Sequence, residues 1–360
     1  MKKSYIIISV SIVILIAIII IISQKSPTFS PNNSNSVCTE IEYNNPNAIN
    51  LLYVTDKQIA QEYSDYFFST SPFKENKESF NVYALENYQP TCKRYKGIAL
   101  FCYSRDLINE ASKCPNDYII VPKEEQASIR SSSYDRVISL NTNHESSVLL
   151  HEFGHSFASL SEEYAPSNLP SDSPNCKISC EQFQNSCFEG CSKSNYKRSI
   201  ENGVMRTLSS SDYGEFNKNL ITNLIQKRFS TITSNVISEK ESCNDHIYLI
   251  ELTPSEDSLT ISSIALTEGC ISNQNGDYSY QTETSSGEII SRASFSPTEI
   301  YTDAPGVNLD LEGETFTSDE PIYLTVPATN LDSTITIQNE QEQIIASGTL
   351  DRLGATPCII

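Results

Sequence analysis

An α+β domain with a mixed sheet and packed helices, followed by an all-β, sandwich-like domain, is the fold class this sequence predicts. Three observations lead there. Short strand-forming runs alternate with helically spaced apolar residues as far as about residue 232. Alternating apolar and polar residues, broken by Pro, Gly, Asn and Asp, fill the chain from about residue 243. The 360 residues also exceed what one ordinary core fills.

Residues 1–4 form a short basic start, with Lys2 and Lys3, and residues 5–22 form an uncharged run dominated by Ile. A run of roughly 18 apolar residues is the minimum for a membrane span and is longer than the usual signal-peptide core. No small-residue cleavage signal follows it. The segment therefore reads as an uncleaved signal-anchor, ahead of a cleaved signal peptide, with the basic end inside the cell and the remainder outside. Residues 23–47 have the composition of a flexible stalk.

Residues 48–232 make the first folded domain. Asn50–Thr55 is a buried strand. Asp56 then opens a helix with Ile59, Tyr63, Tyr66 and Phe67 on one side. Further strands are expected at Phe80–Leu85, Gly97–Cys102, Asn116–Val121 and Asp135–Leu140, and a helix at Phe216–Phe229. Residues 243–360 make the second domain, with strands such as His246–Leu252, Leu259–Leu266 and Ile322–Val326. No chemical constellation appears in it.

Composition narrows the function. With 45 Asp+Glu against 25 Lys+Arg, the chain lacks the basic surface of a nucleic-acid binder. Its eleven cysteines read as disulfides in an exported protein, with one thiol left over. For Cys176, Cys180, Cys187 and Cys191 a zinc site is the alternative, and the export signal favours disulfides.

The chemistry sits between the last strand of the first domain and its polar loop. Val148–Leu160 contains H-E-x-x-H, at His151, Glu152 and His155. On a helix, residues four apart share a face, so both imidazoles can reach one metal ion. Leu149, Phe153, Phe157 and Leu160 form the buried stripe, which puts both histidines on the opposite, exposed face. These are two of only four histidines in the chain. Glu152 is placed to take a proton from a metal-bound water. The acidic pair Glu162 and Glu163 is in range to supply a third ligand. Two imidazoles, a carboxylate and an open position suit Zn2+.

Residues of about 49–229 resemble the IgA-specific metallopeptidase family of bacterial zinc proteases. The likeness rests on Phe67–Phe73, Ser79–Tyr83 and above all His151–Phe157 running into Leu160–Tyr164. It implies that His151 and His155 bind zinc and that Glu152 is the general base. Ala158 and Ser159 stand where relatives usually have glycines, and Glu162 where they usually have Asp. An unbroken helix would carry Glu162 about 10 Å beyond the histidines, so a turn is required. Glu163 keeps the family's residue type and is the preferred third ligand, with Glu162 as the alternative. Met205, in a Gly-containing turn, resembles the Met-turn beneath the zinc of metzincin-type peptidases. Tyr164 and Tyr213 are candidate donors to a developing oxyanion.

The function these readings predict is an exported zinc metalloendopeptidase, anchored in the cell membrane by its N-terminal helix and acting on a protein or peptide substrate. The alternative is a catalytically inactive zinc-binding surface protein or adhesin that acts through its β domain.

Overall fold

The computed structural model describes residues 36–167, 173–183, 186–232, 243, 245–255, 258–273, 276–296, 299–305 and 311–351. The expected membrane segment at 5–22 lies outside these residues. Among the described residues, no helix is long and apolar enough to cross a membrane.

In chain order come β1 (Val37–Glu42), β2 (Ile49–Tyr53), α1 (Lys57–Ser69), β3 (Phe80–Glu86), β4 (Lys93–Tyr95), β5 (Ala99–Phe101) and α2 (Arg105–Ala111). Next are β6 (Tyr118–Lys123), β7 (Ser131–Tyr134), β8 (Val137–Asn141), α3 (Ser147–Ala158), β9 (Phe188–Cys191), β10 (Lys193–Arg198) and α4 (Gly214–Ile232). The remaining strands are β11 (Asp245–Ser255), β12 (Ser258–Gly269), β13 (Tyr278–Thr284), β14 (Ile289–Phe295) and β15 (Glu299–Pro305). Last come β16 (Leu311–Thr317), β17 (Ile322–Pro327), β18 (Ser333–Gln338) and β19 (Ile344–Leu350).

A mixed eight-stranded sheet, ordered β1-β3-β2-β6-β8-β7-β15-β16, is the frame. Its centre is parallel, from β3 through β2 and β6 to β8. The period of two along each strand divides two cores. Leu51, Tyr53, Tyr118, Ile120 and Ile138 point to the helical side, where they join Phe67, Phe153, Phe157 and Ile225. Leu52, Val54, Ile119, Val121 and Val137 face the opposite way, against Tyr248, Ile250, Leu324 and Ile335 from the later strands. Local signals start the helices: the Asp56 carboxylate accepts from the Ile59 amide at 3.0 Å, and the Ser104 hydroxyl from the Leu107 amide at 3.2 Å.

Three expectations change. Residues 36–42 are not stalk, because β1 pairs antiparallel with β3 and Cys38 is bonded to Cys114. The smaller sheets β12-β11-β17 and β14-β13-β18-β19 do occupy the C-terminal region. Residues 243–360 nevertheless do not stand apart, since β15 pairs with β7 and residues 36–360 form one compact unit. Finally, β7 was not anticipated. Its Ser-Ser-Ser-Tyr sequence has one strand former, Tyr134, and the tight turn through Asp135 (φ 52°) folds it back on β8.

All ten cysteines among the described residues are paired: 38–114, 92–102, 176–191, 180–187 and 243–270. Cys358 lies outside the described residues. The run from Cys176 to Cys191 is thus two disulfides and not a thiolate metal site. Five disulfides suggest an extracellular protein.

Candidate metal centre

Helix α3 ends one residue before Ser159, which adopts a left-handed conformation (φ 50°) and closes the helix by donating its N–H hydrogen bond to the His155 carbonyl. A glycine would adopt this backbone more readily. The reversal brings the Leu160 carbonyl back onto His155, and its oxygen lies 2.6 Å from Nδ1. The Val204 carbonyl oxygen lies 2.9 Å from His151 Nδ1. A carbonyl can only accept, so each Nδ1 carries the hydrogen and donates it. In the neutral rings both Nε2 atoms are then bare lone pairs, and they face each other at 3.0 Å.

Carboxylates close around the pair. Glu162 places Oε1 3.1 Å from His155 Nε2 and Oε2 3.5 Å from His151 Nε2. Asp303, from β15, places Oδ2 3.3 Å from His151 Nε2 and 3.8 Å from His155 Nε2. The ligand atoms of these four buried residues all lie within 4.8 Å of one another, a group that could hold a metal ion. Among the described residues, no group other than the two imidazoles can donate to the Glu162 oxygens or to Asp303 Oδ2. Buried acceptors that converge without protons between them repel one another, and a cation at their centre removes the repulsion. The donor set therefore fits a divalent ion.

In the metal-free protein the charges pull against burial. Burial disfavours a charged His151, but Asp303 and Glu162 outweigh it and hold its pKa well above the ordinary imidazole value. Burial pushes Glu162 up, but His155 and His151 bring it down to about 2. Asp303 is raised, first by burial and then by the Glu162 charge. Glu152 is fully buried beside this group and is raised well above the usual carboxylate range by burial, then by Asp303.

Glu163, the preferred third ligand, is not in the group; Glu162, the alternative, is. Beyond the turn the chain follows an irregular path, and the two neighbouring carboxylates part to different surroundings. Glu162 faces the histidines, Glu163 faces away, and Tyr164 returns to donate its hydroxyl hydrogen to Asp303 Oδ1 at 2.7 Å. Glu163 Oε1 instead accepts from Asn217 at 2.8 Å and Asn175 at 3.2 Å. Its carboxyl is pushed up to about 7 by burial, against those two hydrogen bonds. Its backbone ties this segment to the Met205 turn, through the Glu163 amide to the Met205 carbonyl and Arg206 Nη1 to the Glu163 carbonyl.

Met205 is fully buried beneath α3. A Cβ added at Gly154 would lie 2.7 Å from its sulfur, so the glycine makes room for the thioether. Tyr213 donates to the Leu150 carbonyl and so fixes α3. The histidine face is also not exposed: His151 is 0% and His155 3% accessible, because β15 lies over it. Asp303 itself was missed. It belongs to no motif, and its one signal was an acid spaced two residues from Tyr301 in an alternating strand.

A disulfide lies against the backbone of Glu162. Cys176 Sγ lies 3.6 Å from the Glu162 carbonyl oxygen, and its bond to Cys191 closes a separation of 15 residues. Replacing both cysteines with serine is expected to cost about 3 kcal/mol, as loop closure of this length implies. Urea unfolding of the metal-free variant against wild type measures it. No protein-family model and no curated protein matches this chain.

Proposed function

We propose that this chain is an exported zinc-dependent metalloendopeptidase, anchored in the membrane by residues 5–22. The observation that carries the reading is the pair of bare Nε2 atoms on one helix face, completed by Glu162, with the buried carboxyl of Glu152 beside them. The likeness of residues 49–229 to the IgA-specific metallopeptidase family supports the same reading. Zinc suits two imidazoles and a carboxylate. When bound, it supplies Lewis acidity, which polarises a carbonyl oxygen and lowers the pKa of water.

The chain's own groups do the rest. Val204 and Leu160 hold the two rings in the tautomer that leaves Nε2 free to bind. Glu152 moves the proton: its carboxylate accepts one from the attacking water and delivers it to the leaving amine nitrogen. Burial raises its proton affinity, which suits the second of these tasks. Met205 and Tyr213 fix the helix that carries all three residues.

A second reading is favoured by Asp303. Four protein ligands make a closed site, the pattern of structural zinc, which fits a zinc-binding surface protein without activity. Hydrolysis of an unfolded protein by the zinc-loaded full-length chain decides between them. Zinc-dependent cleavage that is lost in Glu152→Gln supports the peptidase; stoichiometric zinc without cleavage of any substrate, in wild type and in Asp303→Ala, supports the surface protein.

A further inference from the structure

We propose that β15 is a built-in pseudosubstrate which keeps the site latent, by lying along the edge of β7 that an extended peptide would otherwise take and by placing Asp303 and Tyr301 on the two histidines. This inference rests on the peptidase reading and adds its regulation. β7 borders the metal centre and pairs with β8 on one side only. Its other edge is taken by β15, antiparallel, in the register Ile300↔Tyr134, Tyr301↔Ser133, Thr302↔Ser132 and Asp303↔Ser131. An exposed edge beside a catalytic centre is the surface on which an extended peptide adds as a further strand.

The side chains of β15 follow the same pattern. Tyr301 and Asp303, two residues apart, face the centre. Tyr301 stacks on the His155 ring at 3.9 Å between centroids, and Asp303 takes the position that a catalytic site leaves open for water or substrate. Ile300 faces the opposite core. The placement is built and not incidental. Gly313 on β16 lies opposite Asp303, and a Cβ there would collide with both the Asp303 carboxylate and the Tyr164 hydroxyl. A cavity of about 800 Å³ lined by His155, Ser156 and Tyr301 adjoins the covered site. Moving β15 off β7 exposes in one step the strand edge, the fourth ligand position and a face of His155. An extended peptide competing for β7 would drive that exchange by mass action.

The test compares the full-length wild type with Asp303→Ala and the shape-conserving Asp303→Asn, each loaded with cobalt(II) for spectroscopy and with zinc for hydrolysis. Both variants are expected to keep one metal per chain and to cleave an unfolded protein at least about 10-fold faster than wild type, since a larger fraction is competent. Acetohydroxamate should shift the cobalt visible bands strongly in both variants and weakly in wild type. Hydrogen exchange at Ser131–Tyr134 should be faster in the variants and slow again when a peptide hydroxamate is added. A wild type that answers acetohydroxamate and cleaves as well as the variants overturns latency. Loss of metal from both variants makes Asp303 a structural ligand and also overturns it. A wild type that binds no metal overturns the peptidase reading itself, and this inference with it.

Discussion

Glu152→Gln is expected to lower peptide hydrolysis by about 100- to 10,000-fold, the range a positioned general base contributes. Zinc content should stay at the wild-type level, because the Glu152 side chain is not among the residues that converge on the metal position. The amide keeps the shape of the carboxyl but neither accepts the proton nor returns it to the leaving nitrogen. The comparison is best made in wild type and again in Asp303→Ala, so that a covered site does not mask the difference. Retained hydrolysis with zinc in place would remove Glu152 from the mechanism.

The second large effect separates two neighbours. Glu162→Gln is expected to weaken zinc binding by more than about 100-fold, beyond the loss that an outer-shell change causes. Its carboxylate lies 3.1 Å from His155 Nε2, with no donor to hold it otherwise. Glu163→Gln should leave zinc affinity unchanged, since that side chain is held by Asn217 and Asn175. It should change the pH dependence of stability instead. The pKa of Glu163 is about 7 in the folded chain, above its ordinary value. The folded state therefore holds this proton more tightly than the unfolded one, and stability from this group falls as pH rises from the ordinary carboxylate range through about 7. Unfolding free energies of the metal-free proteins should move in favour of the variant by on the order of 3 kcal/mol across that window. A difference that does not vary with pH, or loss of zinc in Glu163→Gln, contradicts the assignment.

The histidine helix was legible because its information is local. H-E-x-x-H and the stripe of Leu149, Phe153 and Phe157 lie within a dozen residues, and their period alone sets which faces oppose. The choice between Glu162 and Glu163 was not legible in the same way. It depends on where Ser159 turns the chain and on the irregular path that follows, neither of which has a periodic signature in the sequence. Asp303 was beyond reach for a different reason. Alternation announces a strand but not the sheet it joins, so β15 looked like one more member of a separate β domain. Its pairing with the serine-rich β7, itself unannounced, brings the acid to the metal centre. The edge strand β1 was lost to composition, since Val37–Glu42 is polar enough to pass for linker and only its pairing with β3 and the bond from Cys38 order it.

A metal ion between the two imidazoles is the first requirement of the site, and elemental analysis of the purified full-length protein measures it. One zinc per chain is expected in wild type, falling to near zero in the His151→Ala, His155→Ala double variant. A folded wild-type protein that takes up no zinc, or a double variant that retains it, contradicts zinc binding by His151 and His155.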